Sequence, residues 1–185
     1  MTIDKNSGVK MQVTVPPEWV DVCRKYSKEA ERAGGRMAYG GRVNKEAAQF
    51  FTSKIAEVAL AYFLGEDPNY SVQWAIGKFD DGYDVMDKLG RRFDVKSTMN
   101  SRARFLMWGA AKTQYYDQSD FDALVFCIVD PYNSGKLGQE VDLIGFETKE
   151  GFLKCCKIAT GLDPIQEGTW YMDRDDLKPI ECLLE

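Results

Sequence analysis

The run Ala123-Leu124-Val125-Phe126-Cys127-Ile128-Val129 contains no polar residue. A strand sends alternate side chains to opposite faces, so a strand apolar at every position must be covered on both sides. That requirement excludes a sheet with one face in water. Flanking segments supply the covering layers. Pro16-Pro17 opens a helix from Glu18 to Ala33 that Gly34-Gly35 ends. Asn44 caps a second helix through Ala47, Phe50, Phe51, Ile55, Val58, Ala59, Tyr62 and Phe63, with a stop at Gly65. This helix is apolar around much of its circumference and is expected to be buried. Strand patterns occupy Met11 to Val15, Tyr70 to Ile76, Arg104 to Trp108, Val141 to Phe146 and Thr169 to Met172. Ala110 to Tyr116 reads as a helix or turn and Pro131 to Gly138 as a loop. Lys149 to Ile158 reads as a helix, and Asp175 to Leu184 as a turn with a short tail. The expected fold class is α/β, with α/β/α layers around a central mixed β-sheet. One domain over 1–185 is expected: a strand and helix extension over 1–42 and a core over 43–184.

The chain has no histidine. Triad hydrolases, histidine-ligated zinc enzymes and nucleases with a histidine base are therefore excluded. Chemistry must rest on carboxylates, lysine, tyrosine, hydroxyls or a metal held by oxygen. The five cysteines, Cys23, Cys127, Cys155, Cys156 and Cys182, lack zinc-site or disulfide spacing and read as reduced thiols. The start, Met1 to Lys10, is polar and no apolar run reaches membrane-spanning length. An intracellular, cytoplasmic protein is expected, without membrane, zinc or a nucleotide cofactor.

Gly82 to Thr98 reads as a hairpin that concentrates charge. With Gly90 left-handed in a three-residue turn, Asp87 pairs with Arg91, and the register sets Asp84 opposite Asp94. Asp94 and Lys96 then share a face. Two close carboxylates repel unless a divalent cation lies between them, and a lysine beside them can hold a phosphate or a water. This is chemistry suited to metal-assisted phosphodiester cleavage. The acid-any-lysine spacing recurs in Glu147-Thr148-Lys149 and Asp176-Leu177-Lys178, but neither has an aspartate across a hairpin. Glu57 adds a further ligand candidate, among Ile55, Ala56, Val58 and Ala59, where an unpaired carboxylate is costly. It could pair with Lys54 within the helix or face solvent, or it could reach over the hairpin toward a second cation or a coordinated water.

Net charge is −5, but it is unevenly spread. From Lys88 to Lys112 seven basic residues stand against Asp94 alone, and Arg24 to Lys45 has seven against Glu29 and Glu31. Phosphate contacts are expected from Arg42, Lys45, Arg91, Arg92, Ser97, Arg102, Arg104, Lys112 and Gln114. Trp74, Trp108, Tyr115 and Tyr116 are assigned mainly to the core, with base stacking as the alternative.

These residues resemble the PD-(D/E)XK, or restriction-endonuclease-like, nuclease superfamily. The matching motifs are Glu57 in Ser53-Lys54-Ile55-Ala56-Glu57-Val58-Ala59, Asp84 in Gly82-Tyr83-Asp84-Val85, and Asp94-Val95-Lys96-Ser97. Tyr83 stands where the family's proline would precede the aspartate, and Gln118, not tyrosine, follows Gln114 at the interval of the RecB-like branch. The resemblance implies catalytic roles for Glu57, Asp84, Asp94 and Lys96. It also implies Mg²⁺, with Mn²⁺ as a substitute, held by Asp84, Asp94 and the Val95 carbonyl with Glu57 as a further ligand. Lys96 would orient or deprotonate the attacking water and stabilise developing charge. The implied function is a Mg²⁺-dependent DNA endonuclease, dimeric if it cuts both strands. Alternatives are a catalytically silent nucleic-acid-binding module of the same fold, or a protein in which Asp84, Asp94 and Lys96 form only a surface ion-pair network.

Overall fold

The computed structural model describes residues 10–33, 47–76, 82–135, 138–161 and 165–185. Asn44, Arg42, Lys45 and the expected loop over Arg36 to Val43 lie outside them. The main sheet has five strands: β1 (Met11–Val15), β2 (Val85–Met86), β3 (Arg92–Thr98), β5 (Ala123–Gly135) and β6 (Gly138–Thr148). Their order is β1-β6-β5-β3-β2, with β3 and β5 parallel and the other pairs antiparallel. A parallel pair needs a long crossover. Here that crossover carries β4 (Phe105–Trp108) and a 3₁₀ turn over Ala110–Tyr115. β4 forms a second sheet, order β4-β8-β7, with β7 (Lys157–Ile158) and β8 (Trp170–Asp173).

Both faces of β5 are covered, as its apolar run requires. Val125, Cys127 and Val129 join the core formed with α2 (Ala47–Leu64), which contributes Ile55, Val58 and Leu60. α1 (Pro17–Arg32) adds Val20 and Cys23 to that core. Leu124, Phe126 and Ile128 face the opposite core of Leu106, Trp108, Tyr116, Phe152 and Met172. Helices therefore cover one face. The other carries the small sheet, the 3₁₀ turn and α4 (Lys149–Cys155).

Three segments depart from the sequence expectation. The expected strand from Tyr70 to Ile76 begins instead as α3 (Pro68–Ser71), because Asp67 caps its first turn by accepting from the Asn69 amide at 2.9 Å and Pro68 presets the helical φ. Val72 alone bridges to Val85. The expected loop from Pro131 to Gly138 is the end of a long hairpin, with Ser134 opposite Gln139. A register shift between Val129 and Ser134 accommodates Pro131, which cannot donate to a regular ladder. The helix expected to reach Ile158 stops at Cys155, since Lys157 and Ile158 pair with β8. Among the described residues no helix is long and apolar enough to cross a membrane.

Candidate active site

The hairpin between β2 and β3 places Val85 opposite Phe93 and Met86 opposite Arg92. Asp87 N donates to Arg91 O at 3.0 Å, and Gly90 has φ +78°, so Lys88, Leu89 and Gly90 form the turn. The Asp87 carboxylate locks it by accepting from Leu89 N and Arg91 N, at 3.0 and 2.8 Å, and by pairing with Arg91 Nε at 2.7 Å. This register puts Asp84 across from Asp94. Just before Val85 the backbone departs from the regular ladder, with Asp84 N donating to Phe93 O at 2.8 Å. The next amide on that edge of β3, Val95 N, donates instead to Asp84 Oδ2 at 2.7 Å. A carboxylate thus takes the place of a strand partner where β2 begins.

Parallel pairing aligns Asp94 with Leu124 and Lys96 with Phe126, so both side chains belong to the face of the second core. The Lys96 ammonium is ion-paired with Asp94 Oδ2, though without regular hydrogen-bond geometry, and lies 4.7 Å from the Trp108 ring centroid. Glu57 approaches from the other face of the sheet, on α2, and is 4% exposed. Its Oε2 meets Lys54 Nζ at 2.5 Å. Lys54 also donates to Gln73 O at 2.6 Å and lies 4.7 Å from the Tyr26 ring and 5.5 Å from the Trp74 ring. The intrahelical pair anticipated for Glu57 is present, and the solvent-facing alternative is excluded. Asp84, at the sheet edge, is the residue through which the two faces communicate.

The electrostatics follow from this burial. Burial pushes Glu57 up to about 8; Lys54 opposes the rise, while Asp84 and Asp94 add to it. Asp84 retains some exposure as a residue, yet the enclosure of its carboxylate dominates and pushes it up to about 6. Asp94 raises it further, against Lys96, the Val95 amide and Lys54. For Lys54, burial disfavours the charge, but Glu57, Tyr26 and Asp84 outweigh it and hold the lysine above its ordinary value. Burial also pushes the Cys23 thiol up to about 12, and raises Cys127. Neither thiol has thiolate character.

Among the described residues no group of three or more Asp, Glu or Cys side chains forms a ready metal cage. Each acid has instead taken a protein partner: Glu57 the Lys54 ammonium, Asp84 the Val95 amide, Asp94 the Lys96 ammonium. The donors that could serve a cation are the Asp84 and Asp94 carboxylates and the Val95 carbonyl. These are hard oxygen ligands, and Asp84, raised first by burial and then by the Asp94 charge, is a carboxylate whose ionised form a divalent ion would favour.

The basic residues divide by their partners. Arg92 is ion-paired with Asp120 and Asp122, and Arg91 with Asp87, so both guanidinium groups brace the hairpin. Ser97 is half-buried on β3, whereas Arg102, Arg104, Lys112 and Gln114 are exposed. Trp108 and Tyr116 are buried against Phe121, and Trp74 stacks on Trp19 with centroids 5.8 Å apart. Tyr115 is half-buried. No known family model matches the chain, and no curated protein matches it either. The sequence gives Gln73 no role, and Lys54 only that of a possible partner of Glu57. Lys54 carried a signal of its own, being a cation inside the same apolar helix as Glu57; Gln73 carried none.

Proposed function

We propose that the chain is a Mg²⁺-dependent endonuclease of restriction-endonuclease-like architecture that hydrolyses DNA phosphodiester bonds. The observation that supports this most is the opposition of Asp84 and Asp94 at the open edge of β3, with Lys96 paired to Asp94 and Glu57 buried behind. Mg²⁺ characteristically uses one or two carboxylates and leaves its remaining positions to water and substrate phosphate, so a closed cage is not required. When bound, the ion would supply Lewis-acid charge at the phosphoryl group. Asp84, Asp94 and the Val95 carbonyl would hold it. Lys96, released from Asp94, would orient the attacking water and donate to the phosphoryl oxygens as an ammonium, or would take up the water's proton after giving its own to solvent. Arg102, Arg104, Lys112 and Gln114 supply phosphate contacts, and a homodimer would present two such sites to the two strands.

Supercoiled plasmid incubated with Mg²⁺ or Mn²⁺ tests this directly. Nicked or linear product should form, disappear in EDTA, and be lost in Asp94→Ala and Lys96→Ala proteins that remain folded. Cleavage undiminished in either variant overturns the reading. A catalytically silent DNA-binding module is the second reading, favoured by the protein partner that each carboxylate already has. It would retain plasmid in a gel shift in EDTA and cut under no divalent ion.

A further inference from the structure

Lys54 is a cation enclosed on all sides. It is 6% exposed and sits on a helix whose neighbouring residues Ile55, Ala56, Val58 and Ala59 are fully buried. A buried ion pair seldom improves on an apolar pair of the same volume, so stability does not account for its presence. What distinguishes Lys54 is where its ammonium leads. One contact goes to Glu57 Oε2 at 2.5 Å and a second to Gln73 O at 2.6 Å. The remaining direction faces the Tyr26 and Trp74 rings, 4.7 and 5.5 Å from their centroids. Gln73 N in turn donates to Asp84 O at 3.0 Å. Asp84 then reaches β3 twice, through its own amide to Phe93 O at 2.8 Å and through its carboxylate to Val95 N at 2.7 Å.

This is an unbroken chain of contacts from α2 to the sheet edge. β2 is two residues long and begins only after Asp84, so the hairpin itself gives Asp84 little support. The bridge between Val72 and Val85 adds one further tie. The segment from Val72 to Gln73 is thus the wall against which Asp84 rests, and Lys54 is the side chain that fastens this wall to the helix bearing Glu57.

We infer that Lys54 is a positioning residue that sets Asp84 against β3 by holding the Gln73 carbonyl, and so fixes the distance between the Glu57 and Asp84 carboxylates. The role rests on the nuclease reading for its consequence in catalysis, while its structural content stands apart from that reading. An arginine cannot replace Lys54 in so tight an enclosure without shifting Tyr26 or Trp74, because its planar head is larger than an ammonium.

Removing Lys54 alone leaves Glu57 buried without a partner, so the decisive comparison is between Glu57→Gln and the double variant Glu57→Gln/Lys54→Met. The first keeps the link to Gln73, since Lys54 can donate to the Gln73 carbonyl as an ammonium or, having lost its counter-ion, as a neutral amine; the second lacks it, and neither buries an unpaired carboxylate at residue 57. Amide hydrogen exchange by NMR at Val95, without divalent ions, reads the result. Val95 should stay protected in Glu57→Gln and exchange at least tenfold faster in the double variant, while the amides of β5 keep wild-type protection. Equal protection of Val95 in the two overturns the inference. So does loss of protection throughout the sheet, which would make Lys54 a general packing residue. Mn²⁺ affinity, followed by the paramagnetic resonance of the free ion, should fall at least tenfold between the same two proteins. If wild type neither cleaves DNA nor binds Mn²⁺, the nuclease reading fails, and the exchange at Val95 still decides the role of Lys54.

Discussion

Replacing Asp84 by asparagine should make the protein more stable at neutral pH while abolishing cleavage. The folded state holds the Asp84 carboxyl at about 6 against an ordinary aspartate's 3.8, first through burial and then through Asp94. Below pH 3.8 the group is protonated in both folded and unfolded chains, so it imposes no penalty. Between about 4 and 6 the unfolded chain releases the proton while the folded one retains it, and stability falls as pH rises through that window. Above 6 the whole cost is present. At about 1.4 kcal/mol for each tenfold change in proton affinity, the difference is about 3 kcal/mol. Part of it is shared with Asp94, and the expected gain in Asp84→Asn is therefore about 1–3 kcal/mol at pH 7.5. The Asn Oδ1 can still accept from Val95 N, so that bond need not be lost. Urea unfolding of both proteins in EDTA at pH 4, 5, 6 and 7.5 measures the effect. The stability difference should be smallest at pH 4 and grow to its plateau above pH 6. A difference that is flat with pH, or a variant less stable than wild type at pH 7.5, refutes the reasoning. Adding Mg²⁺ at one hundred times its dissociation constant should return about 2.7 kcal/mol to wild type and much less to the variant.

Further substitutions probe separate parts of the molecule. Lys96→Met should lower the cleavage rate at least about a hundredfold while DNA retention in EDTA changes little, and its loss from the Trp108 ring should be visible in tryptophan fluorescence. Arg102→Ala should reduce the slope of log affinity against log salt by about one. Arg92→Ala should leave that slope nearly unchanged, because Asp120 and Asp122 already neutralise the guanidinium. Gly138→Ala should cost more than about 2 kcal/mol in urea unfolding, since φ is +124° and a Cβ there would lie 2.1 Å from Val15 O. A thiol reagent should modify Cys155 and Cys182 at once in the native protein and reach Cys23 and Cys127 only on unfolding.

Much of this architecture follows from short-range pattern. The apolar run of β5 demands cover on two faces, Pro17 and Gly65 bound helices for reasons of φ alone, and Gly90 sets the hairpin register that brings Asp84 opposite Asp94. Each of these depends on residues a few positions apart, and chain order carries that information in full. The identity of what covers the second face did not follow. β4 and β8 are legible as strand patterns over Arg104 to Trp108 and Thr169 to Met172, but their pairing with each other across more than fifty residues of chain leaves little trace in local propensity, and β7, read as the end of a helix, is a strand only because β8 lies beside it. The partners of the charges are of the same kind. No spacing rule joins Lys54 to Gln73 O or Arg92 to Asp120, yet these contacts separate the bracing cations from the exposed ones. The proton affinities of Glu57 and Asp84 rise through burial, which arises only when α2 is laid against the sheet edge and water is displaced from around them.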